Sequence, residues 1–286
     1  MTMRKITIFL TALIILSGCS LKRENKADKT IYVTITPLKA IINEITCGDF
    51  NVEVIVPDGA SPETYEPTAR QLAQVNESRL IFTTGLIDFE QSIVDRIEDD
   101  GKIVDLSKGI ELIEGSCSHH HGNHQHGIDP HIWTSPKALR TMVKTARAIV
   151  VKEFPDNPEY AEAADRLIER IDKLDKACQE RIAESGVKAI MIYHPAYTYY
   201  ARDYGIEQIA IEHDGKEPTP KQLTSLCNKG RKMGTTVIFH QPQYSADKVS
   251  AIANELNASI VETNPLAADI ITEIERVTEI ICSNNE

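Results

Sequence analysis

The chain has 286 residues, 42% of them hydrophobic and 26% charged, a globular profile with room for two domains. Its formal net charge is −11 and no basic cluster follows the first residues, which excludes nucleic acid and an anionic membrane surface as natural partners. Acidity alone is only a weak pointer to cations.

Arg4 and Lys5 precede an apolar run from Ile6 to Leu16, about half the roughly 20 residues that span a bilayer, so residues 1–18 read as a signal peptide. Leu16-Ser17-Gly18-Cys19 has the form of a lipobox, with Cys19 as the acylated residue. The expected location is extracytoplasmic, in the periplasm or at the cell surface, held by a lipid on Cys19. Residues 19–30 are polar and read as a tether. The other five cysteines, Cys47, Cys117, Cys178, Cys227 and Cys282, form no CxxC pair, which argues against a thiolate zinc site.

β-branched runs then alternate with helical patterns. Strands are expected at Ile31–Ile35, Val52–Val56, Leu80–Thr83 and Ile103–Asp105, with helices at Leu38–Ile45, Ala69–Asn76 and Phe89–Ile97. Helical patterns follow at Pro136–Phe154 and Pro158–Ser185. The second has a stripe of Tyr160, Ala164, Leu167, Ile171, Leu174, Cys178 and Ile182, with Asn157 placed to cap it and Gly186 to stop it. Alternation resumes with strands at Ala189–Tyr193, Gln208–Ile211, Val237–Phe239 and Ser259–Glu262. The helices between and after them are Ala196–Tyr204, Pro220–Lys232, Ala246–Leu256 and Ala267–Cys282. The fold class is α/β: two lobes (31–156 and 187–286), each with a mainly parallel sheet flanked by helices, joined by one long rigid helix over 157–186.

Five of the nine histidines, His119, His120, His121, His124 and His126, lie in a polar low-complexity loop over 117–127. Dense imidazoles suit Zn²⁺, Cu²⁺ or Ni²⁺ and suit Mg²⁺ or Ca²⁺ poorly, so weak metal sites are expected there. His194 and His240 each close a predicted strand, where open parallel sheets bind ligands. His131 sits in Asp129-Pro130-His131-Ile132-Trp133, directly after the loop.

Four segments carry a family resemblance: Ser61-Pro62-Glu63-Thr64-Tyr65-Glu66-Pro67, the Asp129–Trp133 run, Tyr193-His194-Pro195-Ala196-Tyr197 with Tyr200, and Gly215-Lys216-Glu217-Pro218. In this order, from about Ile31 onward, the chain resembles the cluster A-I metal-binding proteins of ABC importers, in their zinc-specific ZnuA-like branch. The resemblance implies one metal held between two lobes and delivered to an ABC importer permease in the membrane, with Zn²⁺ as cargo and no catalysis.

The departures matter. The family's first histidine position is Glu63, its Asp-Pro-Leu aspartate is Asn264, and its carboxylate before Pro-Gln is Gln241, next to His240. The expected ligand set is Glu63, His131, His194 and His240, the alternatives being His131, His194, His240 and water, or a site in which Asn264 or Glu66 takes part; His213, beside Asp214, is at most an outer partner. A manganese or iron receptor of the same fold, a zinc-dependent hydrolase, and an adhesin or scavenger without a transporter remain alternatives. Nothing requires an oligomer, so a monomer is expected.

Overall fold

The computed structural model describes residues 29–114, 127–212 and 215–283. The expectations for the signal peptide, Cys19, the five loop histidines and His213 lie outside the described residues. No helix among the described residues is long and apolar enough to cross a membrane.

The first half runs β1 (Thr30–Val33), α1 (Thr36–Ile45), β2 (Asn51–Val54), α2 (Ala69–Asn76), β3 (Leu80–Thr83), α3 (Asp88–Val94) and β4 (Ile103–Asp105). Helices α4 (Pro136–Glu153) and α5 (Pro158–Ser185) follow. The second half runs β5 (Ala189–Ile192), α6 (Thr198–Tyr204), β6 (Glu207–Ala210), α7 (Pro220–Met233), β7 (Val237–His240), α8 (Asp247–Leu256), β8 (Ser259–Glu262) and α9 (Ile270–Ser283). Every expected element is present. The main differences are that α6 and α9 start later and α3 stops earlier than the pattern suggests; before α6 and α9 the residues concerned belong to loops that build the site.

Both sheets are four-stranded and wholly parallel, in the orders β2-β1-β3-β4 and β6-β5-β7-β8. In each the order reverses at the two central strands, so a crevice opens beyond the carboxyl ends of β1 and β3, and of β5 and β7. The two halves present these crevices to a common cleft, lined by residues from both.

Helix α5 spans roughly 40 Å at 1.5 Å per residue. Its stripe of Tyr160, Ala164, Leu167, Ile171, Leu174, Cys178 and Ile182 is buried, as its spacing predicts. Gly186, at φ 64°, ends it in the left-handed conformation. The expected Asn157 cap takes another form: its amide donates to Glu159 Oε1 at 3.1 Å and makes no capping bond. Midway along its length α5 is tied to the first half, with Arg170 on Glu44 at 2.7 Å; near its end it is tied to the second, with Arg181 on Glu279 at 2.9 Å. One apolar cluster runs through Val33 and Phe82 of the first sheet, Leu167 and Ile171 of α5, Ile192 and Phe239 of the second sheet, and Ile274 and Val277 of α9. A smaller cluster, with Ile238, Cys227 and Ile252, covers the outer face of the second sheet. Cys47, Cys178, Cys227 and Cys282 are all free thiols.

Candidate metal centre

Three of the expected ligands converge in the cleft. Glu63, His131 and His194 each direct one donor atom into a group lying within 4.8 Å of one another. Glu63 sits on a single 3-10 turn, Pro62–Thr64, whose proline and acidic residue suit a helix start. That turn is held by Gln71, which closes a capping box with Thr68 through Oε1 while its amide donates to the Tyr65 hydroxyl at 2.6 Å and to the Ile55 carbonyl at 3.2 Å. The Tyr65 ring meets Phe89 edge-on, with centroids 5.7 Å apart. Glu63 itself keeps 21% of its side chain exposed.

The two histidines are 6% exposed, and each is backed by a carboxylate. His131 Nδ1 donates to Asp129 Oδ1 at 2.9 Å, and the same oxygen accepts the His131 backbone N–H at 2.9 Å. His194 Nδ1 donates to Glu212 Oε1 at 2.8 Å. A carboxylate behind Nδ1 fixes the ring and leaves Nε2 as the metal-facing nitrogen. The two Nε2 atoms stand 3.3 Å apart, and His194 Nε2 stands 3.3 Å from Glu63 Oε1. Donors 2.0–2.1 Å from a tetrahedral ion lie roughly 3.3–3.4 Å apart, so these distances match two edges of a zinc-sized tetrahedron.

The electrostatics are those of a site built for a cation. Burial opposes charging of His194, but Glu212 and Glu63, bonded to its two nitrogens, push its pKa up to about 9. Burial would raise the Glu63 carboxyl; the His194 hydrogen bond and the charge of both histidines outweigh it and hold Glu63 below the usual range. Asp129 is likewise held low, its burial outweighed by the charge and hydrogen bonds of His131 and a bond from Thr198. Tyr244 stacks on His194 at 5.5 Å, and burial raises its phenol, keeping it neutral.

Two buried carboxylates hold the surrounding loops. Glu90 accepts from Thr84 N and Oγ1, both at 2.8 Å, and from Leu86 N and Ile87 N at 3.1 and 3.2 Å, shaping the turn that sets Ile87 against the cleft. Gly85 in that turn has φ 75°, and a Cβ there would collide with the Asp105 carboxylate. In the second half Glu273 accepts from Thr263 Oγ1 and Asn264 N, both at 2.8 Å, fixing the loop of Pro265 and Leu266. The cavity at the donors is about 30 Å³, walled by Pro62, Ile87, Pro130, Trp133, Ala196 and Leu266.

The expectation for His240 is corrected. Val237 and Phe239 face the main core and Ile238 the outer cluster, so the two-residue alternation of a strand puts His240 on the outer face. It neither joins the donor group nor lines the cleft; Gln241 does, donating to the His194 carbonyl at 2.6 Å and accepting the His194 N–H at 3.3 Å. The two substitute ligands also fall away. Asn264 turns its Oδ1 to Leu266 N at 3.0 Å and lines a neighbouring cavity, and Glu66 is exposed. Among the described residues the group that could hold a metal ion is therefore Glu63, His131 and His194, where three imidazoles and a carboxylate were expected.

The family model described as zinc-uptake complex component A, periplasmic (ZnuA), matches residues 31–276. The chain belongs to the ZnuA family. Residues 3–20 also match the prokaryotic membrane lipoprotein lipid attachment site, which makes this family member a membrane-anchored extracytoplasmic lipoprotein. It is 28% identical over 279 residues to the zinc-binding lipoprotein AdcA of Streptococcus pneumoniae, covering 92% of this chain and 56% of that one. Thus the chain spans little more than half the length of that relative. It is also 28% identical over 256 residues to the high-affinity zinc uptake system protein ZnuA of Bacillus subtilis, covering 85% of this chain and 80% of that one. A crystal structure of ZnuA superposes with a TM-score of 0.80 at 28% identity, covering 91% of this chain and 100% of that one. The periplasmic zinc-binding protein TroA of Treponema pallidum, at 17% identity and TM-score 0.77, shares the fold.

Proposed function

We propose that this chain is a receptor that captures one Zn²⁺ between Glu63, His131 and His194, with water as the fourth donor, and delivers it to a membrane ABC importer. The observation that carries the reading is the pair of 3.3 Å donor separations, each ending on a histidine whose far nitrogen is locked by a carboxylate. Two imidazoles and one carboxylate favour zinc over the oxygen-rich shells that manganese prefers. The single negative ligand halves the excess charge of the ion in a partly dry cleft. The uptake systems named for the family and its Bacillus subtilis member support the importer partner.

A hydrolytic zinc site with the same donors needs a general base beside the bound water. Among the described residues, the other polar side chains lining the cavity are Ser61, Gln241, Gln243 and Tyr244, none of which is a base at neutral pH. A transport role, without bond chemistry, fits that lining. Metal analysis and competitive titration of the purified chain test the proposal: one tightly bound Zn²⁺ is expected, and a preference for Mn²⁺ over Zn²⁺ would overturn it.

A further inference from the structure

His131 precedes the linking helix in the chain, yet its segment is fastened to the second half. The Tyr199 hydroxyl donates to the Asp129 carbonyl at 2.8 Å, Trp133 Nε1 to the Pro265 carbonyl at 2.7 Å, and Thr134 Oγ1 to the Ala196 carbonyl at 2.8 Å. Ser135 and Lys137 both bond Asp203 on α6. Residues 111–113, earlier in the chain, are tied the same way: Arg202 donates to the Glu111 carbonyl at 2.7 Å, and the Tyr199 hydroxyl accepts Ile113 N–H at 3.3 Å. Asp129 to Ser135 is buried throughout, and the His131 and His194 rings lie 5.1 Å apart, edge to face.

The Glu63 loop has the opposite allegiance. Its anchors are Gln71, the Ile55 carbonyl and Phe89, all in the first half, and Asp58 at its start accepts from Thr36 at 3.1 Å. Toward the second half its polar contacts among the described residues are Glu63 with His194 and the Ser61 hydroxyl facing that of Tyr244. Much of that loop is exposed or half-buried, in contrast to the buried histidine segment.

We propose that the donors divide two and one between the moving parts: His131 and His194 form a fixed platform on the second half, and Glu63 is a movable arm whose withdrawal opens the site. This rests on the zinc reading above and adds how the ion leaves. Releasing the arm breaks one metal–oxygen bond and a few weak contacts, whereas parting the histidines would break five buried or half-buried hydrogen bonds, each costly to leave unmade. Segments that move in binding come from the least tied parts of a fold.

The chain reports on itself, because Trp133 is its one tryptophan and belongs to the platform. The full chain is compared zinc-loaded and after zinc removal by a chelator, with bound zinc measured on the same samples. Amide hydrogen exchange over residues 57–67 is expected to speed up at least about tenfold on zinc removal, while residues 129–135 change less than about threefold. The Trp133 emission maximum is expected to stay at its buried value in both states. In stopped-flow transfer to a chromogenic chelator, Glu63→Gln is expected to speed zinc release about tenfold or more, with the association rate changed less than about threefold. Loss of protection over 129–135 equal to that over 57–67, or a red shift of Trp133 on zinc removal, would overturn the two-and-one division. So would unchanged exchange over 57–67 in a sample shown to have lost its zinc. Failure of the chain to bind zinc at all is a separate result, seen in the metal measurement, and overturns the reading beneath it.

Discussion

Zinc should enter this site by displacing a proton. In the metal-free protein His194 lies between Glu212 at 2.8 Å and Glu63 at 3.3 Å, and those two carboxylates push its pKa up to about 9 despite its burial. At pH 7 only about 1% of the molecules then carry the neutral imidazole that zinc requires, so apparent affinity sits roughly 100-fold below its alkaline limit. Affinity should rise about tenfold per pH unit between pH 7 and 8 and level off above about pH 9. The stability of the metal-free fold runs the other way. A folded-state pKa above the unfolded value of about 6.5 contributes stability that is fully present below pH 6.5 and is lost as pH rises through 9. Calorimetric titration at pH 7 in two buffers of different protonation enthalpy should show close to one proton released per zinc from this group. Chelator competition from pH 6.5 to 9.5 supplies the slope. Flat affinity across that range, or heats independent of the buffer, would refute the assignment of a proton to His194.

Glu63→Gln keeps the size of the side chain and removes its charge, and should weaken zinc binding by more than the roughly 10–100-fold that loss of an outer hydrogen-bond partner costs; Glu63→His, which restores an imidazole donor, should recover much of it in the same competition assay. Asp129→Asn and Glu212→Gln each leave the donors in place but free a histidine ring, so affinity should drop roughly 10–100-fold in isothermal titration. His240→Ala should leave affinity within about threefold of the parent chain, because the side chain faces away from the cleft; a large loss would restore it to the ligand set. Deleting residues 118–127 should preserve the tight site and remove the weak ones, read as a fall in zinc stoichiometry at high metal.

The fold was legible because period and composition agree along the chain. Leu80–Thr83, Ile103–Asp105, Ser259–Glu262 and the whole of α5 fall where the pattern puts them, since short runs centred on β-branched residues between turns have few alternatives in a parallel sheet. That His131 and His194 come to the cleft was legible from their position at segment ends. His240 lies away from it because a strand end marks the cleft only for alternate residues, and the cleft-facing position there is Gln241. The signal for Glu212 lies in the strand register. β5 and β6 pair Ile192 with Ala210, so two residues further on His194 and Glu212 stand opposite each other. Asp129 stands in the same motif as His131, yet nothing about an isolated acid two residues before a histidine reveals that it bonds both ring and backbone. Glu90 and Glu273 were invisible for a different reason: a buried carboxylate that gathers loop N–H groups looks, in sequence, like any surface glutamate on a helix.

The apolar cluster that passes from one sheet through α5 to the other has a thermodynamic consequence. Side chains of both halves share one interior, so neither half can lose its packing without exposing part of the other's. The chain should therefore melt as a single cooperative unit, with calorimetric and van't Hoff enthalpies in agreement, despite its two separate sheets. A molecule built that way cannot announce its cargo by gaping. Whatever reads the loaded form must sense a local change at the cleft rim, carried by a body that otherwise keeps one shape.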